Sequence, residues 1–149
     1  MSREILFKAK RKDNGEWVKG YYVYDYSHDA HYIFANIIAT PNGVHDRRES
    51  FSLEYYEIDP YTLCQYTGLT DKYGKEIWEN DIISIHAYSY YEPEDDYFGV
   101  VKYCVKNACW ALKNNERFDE IICECFGSYT TEIINHGNIF DNPELLEVE

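Results

Sequence analysis

Four groups of residues in this chain of 149 have types and spacings that could do chemistry. The first is His28-x-x-His31, with Asp25 and Asp29 beside it. Imidazoles and carboxylates at that spacing are metal-ligand types, but a zinc centre takes four donors and no second paired cluster accompanies this one. The second is Cys123-x-Cys125. On a helix, residues two apart point in different directions, so these sulfurs do not converge on one ion. Neither motif predicts a metal centre. The third is the run Tyr88 to Phe98, which places Glu92, Glu94, Asp95 and Asp96 within five residues and flanks them with Tyr90, Tyr91, Tyr97 and Phe98. Concentrated negative charge beside aromatic anchors suits the binding of a protein, a basic one above all. The fourth is the N-terminal group Arg3, Lys8, Lys10, Arg11 and Lys12, followed by Trp17, Tyr21 and Tyr22. Lysine and arginine neutralise phosphates, and rings stack on bases, so this group suits a nucleic acid.

Catalytic patterns do not emerge. No G-x-S-x-G elbow surrounds a serine. Gly68 and Gly74 flank a charged hairpin and do not open a helix, as a phosphate-cradling loop would. Carboxylates are plentiful, but abundance alone does not assign an acid and a base. The expectation is a protein that is not an enzyme and uses no cofactor.

Charge separates the two binding surfaces. The formal net charge is −13, which works against non-specific attraction to nucleic-acid phosphates. It is unevenly spread. The first 20 residues hold six Lys/Arg and three Asp/Glu, a local +3, and the remainder holds eight against 24, a local −16. A protein partner met through the acidic, aromatic surface is the first expectation. A nucleic-acid-binding small-barrel module using the basic N-terminal strand is the alternative.

The elements that must position these groups are mostly strands. Sixteen tyrosines and seven phenylalanines favour pleated, half-buried surfaces. Five cysteines without C-x-x-C spacing fit reduced thiols in a cytoplasm better than a disulfide frame. The opening Met-Ser-Arg-Glu-Ile lacks the layout of a signal peptide, and no stretch is long and apolar enough to cross a membrane.

Ile5, Phe7 and Ala9 alternate with polar residues, a strand period. Asp13-Asn14-Gly15 is a hairpin turn leading to an aromatic strand over 16–26. Strands are predicted over 31–40 and 51–58, and Asp59-Pro60 forces the chain out of the second. In Gln65 to Ile83, Q-Y-T-G-L-T-D-K-Y-G-K-E-I-W-E-N-D-I-I, a loop at 70–74 precedes a short strand at 75–78, a turn at 79–81 and an apolar strand at 82–86. A tight E-N-D turn feeding I-I-S-I is how many SH3-like barrels begin. Residues 88–98 read as a loop, and 99–106 with 109–113 as a strand pair. Phe118, Ile121, Ile122 and Cys125 fall at helical spacing and predict a helix over 118–126. A last strand, bulged at Gly137, spans 130–140. A terminal helix follows, with Asn142 as its N-cap and Pro143 in its first turn. The predicted class is mainly β, with an SH3-like small barrel in the C-terminal half, an N-terminal β-hairpin region and one or two short helices. The chain is read as one domain, with an N-terminal lobe over 1–60 and a barrel-like lobe over 61–149.

The Gln65–Ile83 string resembles the signature of the YopX-like family of bacteriophage and prophage proteins, whose pattern is close to Q-Y-T-G-L-K-D-K-N-G-K-E-I-Y-E-G-D-I-V. Thr70, Tyr73, Trp78, Asn80 and Ile83 depart from it. Asn80 stands where the pattern has Gly, and Asn is the next best residue for a positive φ. Ile5 to Lys10 and Gly137 to Leu146 resemble the family's two ends, so the resemblance covers nearly the whole chain. It implies a mainly β fold, a phage or prophage origin and action in the bacterial cytoplasm. It carries no catalytic residue onto this sequence. With it, the expected partner becomes a host or phage protein. The exposed edges of a strand-rich protein also allow a homo-oligomer.

Overall fold

The computed structural model describes residues 4–41, 49–88, 95–114, 117–119 and 130–147. The chain divides into two compact units, Met1–Gln65 and Tyr66–Glu149. Every strand pairing among the described residues is antiparallel.

The first unit is built on β1 (Phe7–Lys10), β2 (Trp17–Asp25), β3 (Ala30–Pro41), β4 (Glu49–Glu57) and the start of β5 (Cys64–Thr70), in the order β4-β3-β2-β1-β5. Alternation along β1 decides its two faces. Phe7 and Ala9 turn to a core formed by Ala9, Ile33 and Ile58, on which Val18, Tyr22 and Leu63 also pack. Lys8 and Lys10 take the opposite face, because successive strand residues point to opposite sides. The β1–β2 connection closes as the sequence requires: Gly15 has φ +73° and its N–H donates to the Arg11 carbonyl at 2.9 Å. Gly20 has another reason to lack a side chain, since a Cβ there would lie 2.1 Å from the Phe34 carbonyl oxygen. After β4 the chain makes a 3-10 turn at Pro60–Thr62, where the Asp59 carboxylate accepts from the Tyr61 N–H. Thr62 Oγ1 then accepts from the Lys10 N–H at 2.8 Å, fixing the end of β1.

The second unit begins within β5. Its later residues pair with β6 (Glu76–Trp78). The strands β7 (Asp81–Tyr88), β8 (Asp95–Cys104), β9 (Cys109–Asn114), β10 (Arg117–Asp119) and β11 (Thr130–Asn138) form a sheet in the order β10-β9-β8-β7-β11. One face carries the core: Ile77, Ile83, Ile85, Val101, Trp110, Leu112 and Ile133, with Leu69 and Tyr97 packed against it. Each large apolar side chain removed from water in this cluster contributes about 1.5–3 kcal/mol to the unit's stability. The strand-rich, mainly β expectation holds. The sheet is barrel-like but not closed, with β10 and β11 as its edges among the described residues.

Three local expectations differ. Phe118 and Asp119 belong to β10, where Phe118 pairs with Lys113 and Asp119 with Leu112. Ladder hydrogen bonds to β9 override the helical spacing there, and the remainder of the expected helix lies outside the described residues. Asp95 to Phe98 open β8 and are not loop, because His86 pairs with Asp96 and Ser84 with Phe98. Asn142 does not cap a helix with its side chain. Its Oδ1 instead accepts from the Asn138 N–H at 3.3 Å, and the following Pro143–Leu146 segment is a 3-10 turn. The expected bulge near Gly137 is present, as the β11–β7 register shifts between Asn135 and Gly137.

Candidate functional site

The Gln65–Ile83 stretch is a buried polar staple. Its turns need positive φ, which Gly74 (+81°) and Asn80 (+69°) supply. Asp71 Oδ1 accepts from the Tyr73 and Lys75 N–H groups at 2.9 and 2.8 Å, and its Oδ2 accepts from the Asn135 N–H at 3.1 Å. Burial alone would push the Asp71 carboxyl up, but these three N–H donors, helped by the Lys75 charge, hold it below the usual carboxylate range. Asn135 Nδ2 donates to Asp81 Oδ2 at 2.6 Å and to the Glu76 carbonyl at 3.0 Å, and Asp81 Oδ2 also accepts from the Trp78 N–H at 2.8 Å. Two carboxylates and a carboxamide thereby satisfy the turns that flank β6. These bonds of Asp71, Asp81 and Asn135 all run to turn backbone or to one another, which gives the set a scaffolding role.

A surface of different character lies on the outer face of β7, β8 and β11. Cross-strand register builds two rows, Glu132–His86–Asp96 and Ile134–Ser84–Phe98. Together with Ile85 and Tyr97 they line an open cavity of about 200 Å³. The first row sets carboxylates on either side of an imidazole; the second supplies an apolar floor. His86 Nδ1 bonds Asp96, Glu132 accepts from Lys72 Nζ at 3.3 Å, and Ser84 Oγ lies 2.8 Å from His136 Nε2. A serine beside an imidazole is the beginning of a nucleophile–base pair, which also needs a group to orient the base. The row's two acids instead serve His86 and Lys72.

The sequence-derived residues distribute as follows. Of the acidic, aromatic group, Tyr90, Tyr91, Glu92 and Glu94 lie outside the described residues, and of Asp95 the backbone alone is described, in β8. Asp96 and Tyr97 both line the cavity. The basic group is split. Lys8 and Lys10 stand over the Trp17 ring at 4.7 and 5.4 Å from its centroid. Arg11 stacks on Tyr56 at 4.0 Å and is held by Asp13 at 2.5 Å, while Lys12 bonds Glu57 at 3.0 Å. Arg3 lies outside the described residues. Tyr22, expected to offer its ring to bases, packs on the core with its hydroxyl 2.7 Å from His31 Nδ1. His28 turns instead to Asp25, at 2.7 Å, so the two histidines do not share a ligand position. Among the described residues, no three His, Cys, Asp or Glu side chains are placed to hold a metal ion. Cys123 and Cys125 lie outside them.

Ser84, Glu132, Ile134 and His136 are surface residues that no sequence motif singles out. The signal in β7 was the insertion of Ser84 and His86 at alternate positions between Ile83, Ile85 and Ala87, which marks a strand with one wet face.

The sequence matches the family model described as YopX protein over residues 6–147. The chain belongs to the YopX family. No curated protein matches it. In fold this YopX chain resembles the crystal structure of protein EF1440 from Enterococcus faecalis, with a TM-score of 0.63 and 22% sequence identity over 98% of this chain and 100% of that one. At that identity the likeness extends to the fold. Among the described residues, no helix is long and apolar enough to cross a membrane.

Proposed function

We propose that this protein is a phage or prophage accessory protein that acts in the bacterial cytoplasm by binding a host or phage protein, without catalysis. The observation that carries the reading is the cavity on the outer face of β7, β8 and β11, with carboxylates at Asp96 and Glu132 and an apolar floor at Phe98 and Ile134. A lysine or arginine side chain fits that chemistry, its aliphatic stem on the floor and its charged head at the acids. Lys72 already sits at Glu132, but an exposed ion pair is worth about 0–1 kcal/mol and is readily exchanged for a partner's cation. The acids and rings of residues 90–97 extend the same composition along the sequence, and the local charge of −16 beyond residue 20 favours encounter with a basic partner.

Affinity capture from host lysate, run in parallel with wild type and an Asp96→Lys/Glu132→Lys variant at low and high salt, tests this. The expected result is a basic protein retained by wild type at low salt, weakened at high salt and lost with the variant. Equal capture by both proteins, or none by either, would overturn it. Light scattering on the same samples separates this outcome from self-association.

A further inference from the structure

We infer that the outward face of the N-terminal sheet is a binding surface for single-stranded nucleic acid. It is independent of the acidic cavity, because it is built from β1 to β4. The register places its members. Lys8 lies opposite Lys19, and Lys10 opposite Trp17, so these four share the face away from Phe7 and Ala9. Two residues further along β2, on the same face, Tyr21 lies opposite Phe34, which in turn lies opposite Tyr55. Lysines and a row of rings are thus adjacent on one pleated surface.

The rings are presented to solvent. Tyr21 is 60% exposed and Tyr55 is 54% exposed, with Val23, opposite Tyr32 in the adjoining row, at 43%. The Phe34 and Tyr55 rings lie nearly parallel, 24° apart with centroids at 5.3 Å, and Tyr32 meets Tyr55 edge-on at 5.9 Å. Tyr21 and Tyr55 forgo much of the burial that large apolar groups normally gain, and exposed rings grouped on one face mark a contact site. The charge beside them selects the occupant. The first 20 residues carry a local +3 in a protein of net −13, and the lysines Lys8, Lys10 and Lys19 fall on the ring-bearing face. Phosphates are matched by the lysines and unstacked bases by the rings, which is how sheets take single strands. A duplex hides its base faces and is read instead by a helix or ribbon placed in a groove. Few cations in an acidic protein imply short contacts and weak binding at physiological salt. For three neutralised phosphates the slope of log affinity against log salt is about −2.

Fluorescence anisotropy with a labelled oligothymidylate of about a dozen nucleotides, and with the same length of duplex, tests the assignment on the full chain. The expected result is saturable binding of the single strand at low salt, in preference to the duplex, with the shallow salt slope given above. Tyr55→Ala and Tyr21→Ala each lower the affinity by roughly five- to a hundredfold, and Lys19→Glu brings the salt slope nearer zero by about one unit. Far-ultraviolet circular dichroism of these surface variants stays at the wild-type signal, and their unfolding midpoints fall by no more than the loss of a cross-strand ring pair accounts for. Two ring positions are used so that misfolding of one variant leaves the other to decide. No binding at low salt, equal binding of duplex, or unchanged affinity in a folded ring variant would overturn the inference. So would light scattering that shows a dimer dispersed by Tyr55→Ala, which would assign the face to a second copy. Asp96→Lys/Glu132→Lys serves as the control: it abolishes the protein capture proposed above and leaves the Tyr21 and Tyr55 effects in place, so the two readings fail separately.

Discussion

The two units spend their apolar and polar residues differently. Among the described residues of the N-terminal unit, Ala9, Ile33 and Ile58 form one small buried cluster, and the opposite face of the same sheet shows Tyr21, Val23 and Tyr55 to solvent. Among the described residues of the C-terminal unit, a larger cluster of seven is buried together, and the turns beside it are tied by Asp71, Asn135 and Asp81. The family signature falls on the second arrangement. It therefore marks scaffold residues, while the two proposed surfaces lie on sheet faces that the core does not use. A family resemblance carried by scaffold residues says little about what the surfaces bind.

The contrast can be broken by substitution, and the largest effect is expected in the C-terminal core. Ile85→Ala removes a side chain that is 1% exposed and should cost about 2–5 kcal/mol, read as a lower urea midpoint. Next comes the polar staple. Asn135→Ala removes two donated bonds and leaves the buried Asp81 carboxylate short of a donor, for a loss of about 2–3 kcal/mol. A midpoint unchanged within about 0.5 kcal/mol would show that the staple is incidental.

Acid should act through the same staple. The Asp71 carboxyl is held below its usual range, so its contribution is fully present above the unfolded value of about 3.9 and is lost as pH falls through the lower folded value. Unfolding midpoints measured from pH 6 downward should therefore fall below about pH 4, and Asp71→Asn should flatten that fall while lowering stability at neutral pH. The smallest effect belongs to the N-terminal face. Tyr55→Ala should change stability by no more than about 1 kcal/mol, since its ring is half exposed and its contacts are the cross-strand ring pairs with Phe34 and Tyr32. A cost comparable to that of Ile85→Ala would make the ring row part of the core and erase the contrast.

Much of this architecture is legible in the sequence where local chemistry is decisive. Asn14-Gly15, Gly74 and Asn80 occupy positions that require turn residues, and Ile5 to Lys10 and Ile82 to His86 carry a strand period that survives in β1 and β7. The places where sequence and structure part have a common cause, which is pairing between distant segments. Phe118 has helical spacing, yet its neighbours in β9 offer it a ladder. Asp95 to Phe98 look like loop because they are acidic and aromatic, yet β7 extends far enough to pair with them. The candidate surfaces are less legible still. Ser84 and His136 are separated by 52 positions and meet only through the β7–β11 register. Phe34 and Tyr55 fall into line because the β3–β4 register shifts between Phe34 and Asn36, and no local pattern announces a bulge of that kind. Trp17 and the lysines of β1 were recognisable by type, whereas their separation from Arg11 and Tyr22, on the other face, required the strand.

The most direct test of the proposed protein-binding role is site-specific photocrosslinking in the bacterial cell. A photoreactive phenylalanine analogue replaces Phe98 in the acidic cavity, and separately replaces Tyr73, an exposed ring on the scaffold hairpin. The expected result is a light-dependent adduct with a basic protein from position 98, abolished by Asp96→Lys/Glu132→Lys, and none from position 73. Adducts of equal yield from both positions, or none from position 98, would contradict it.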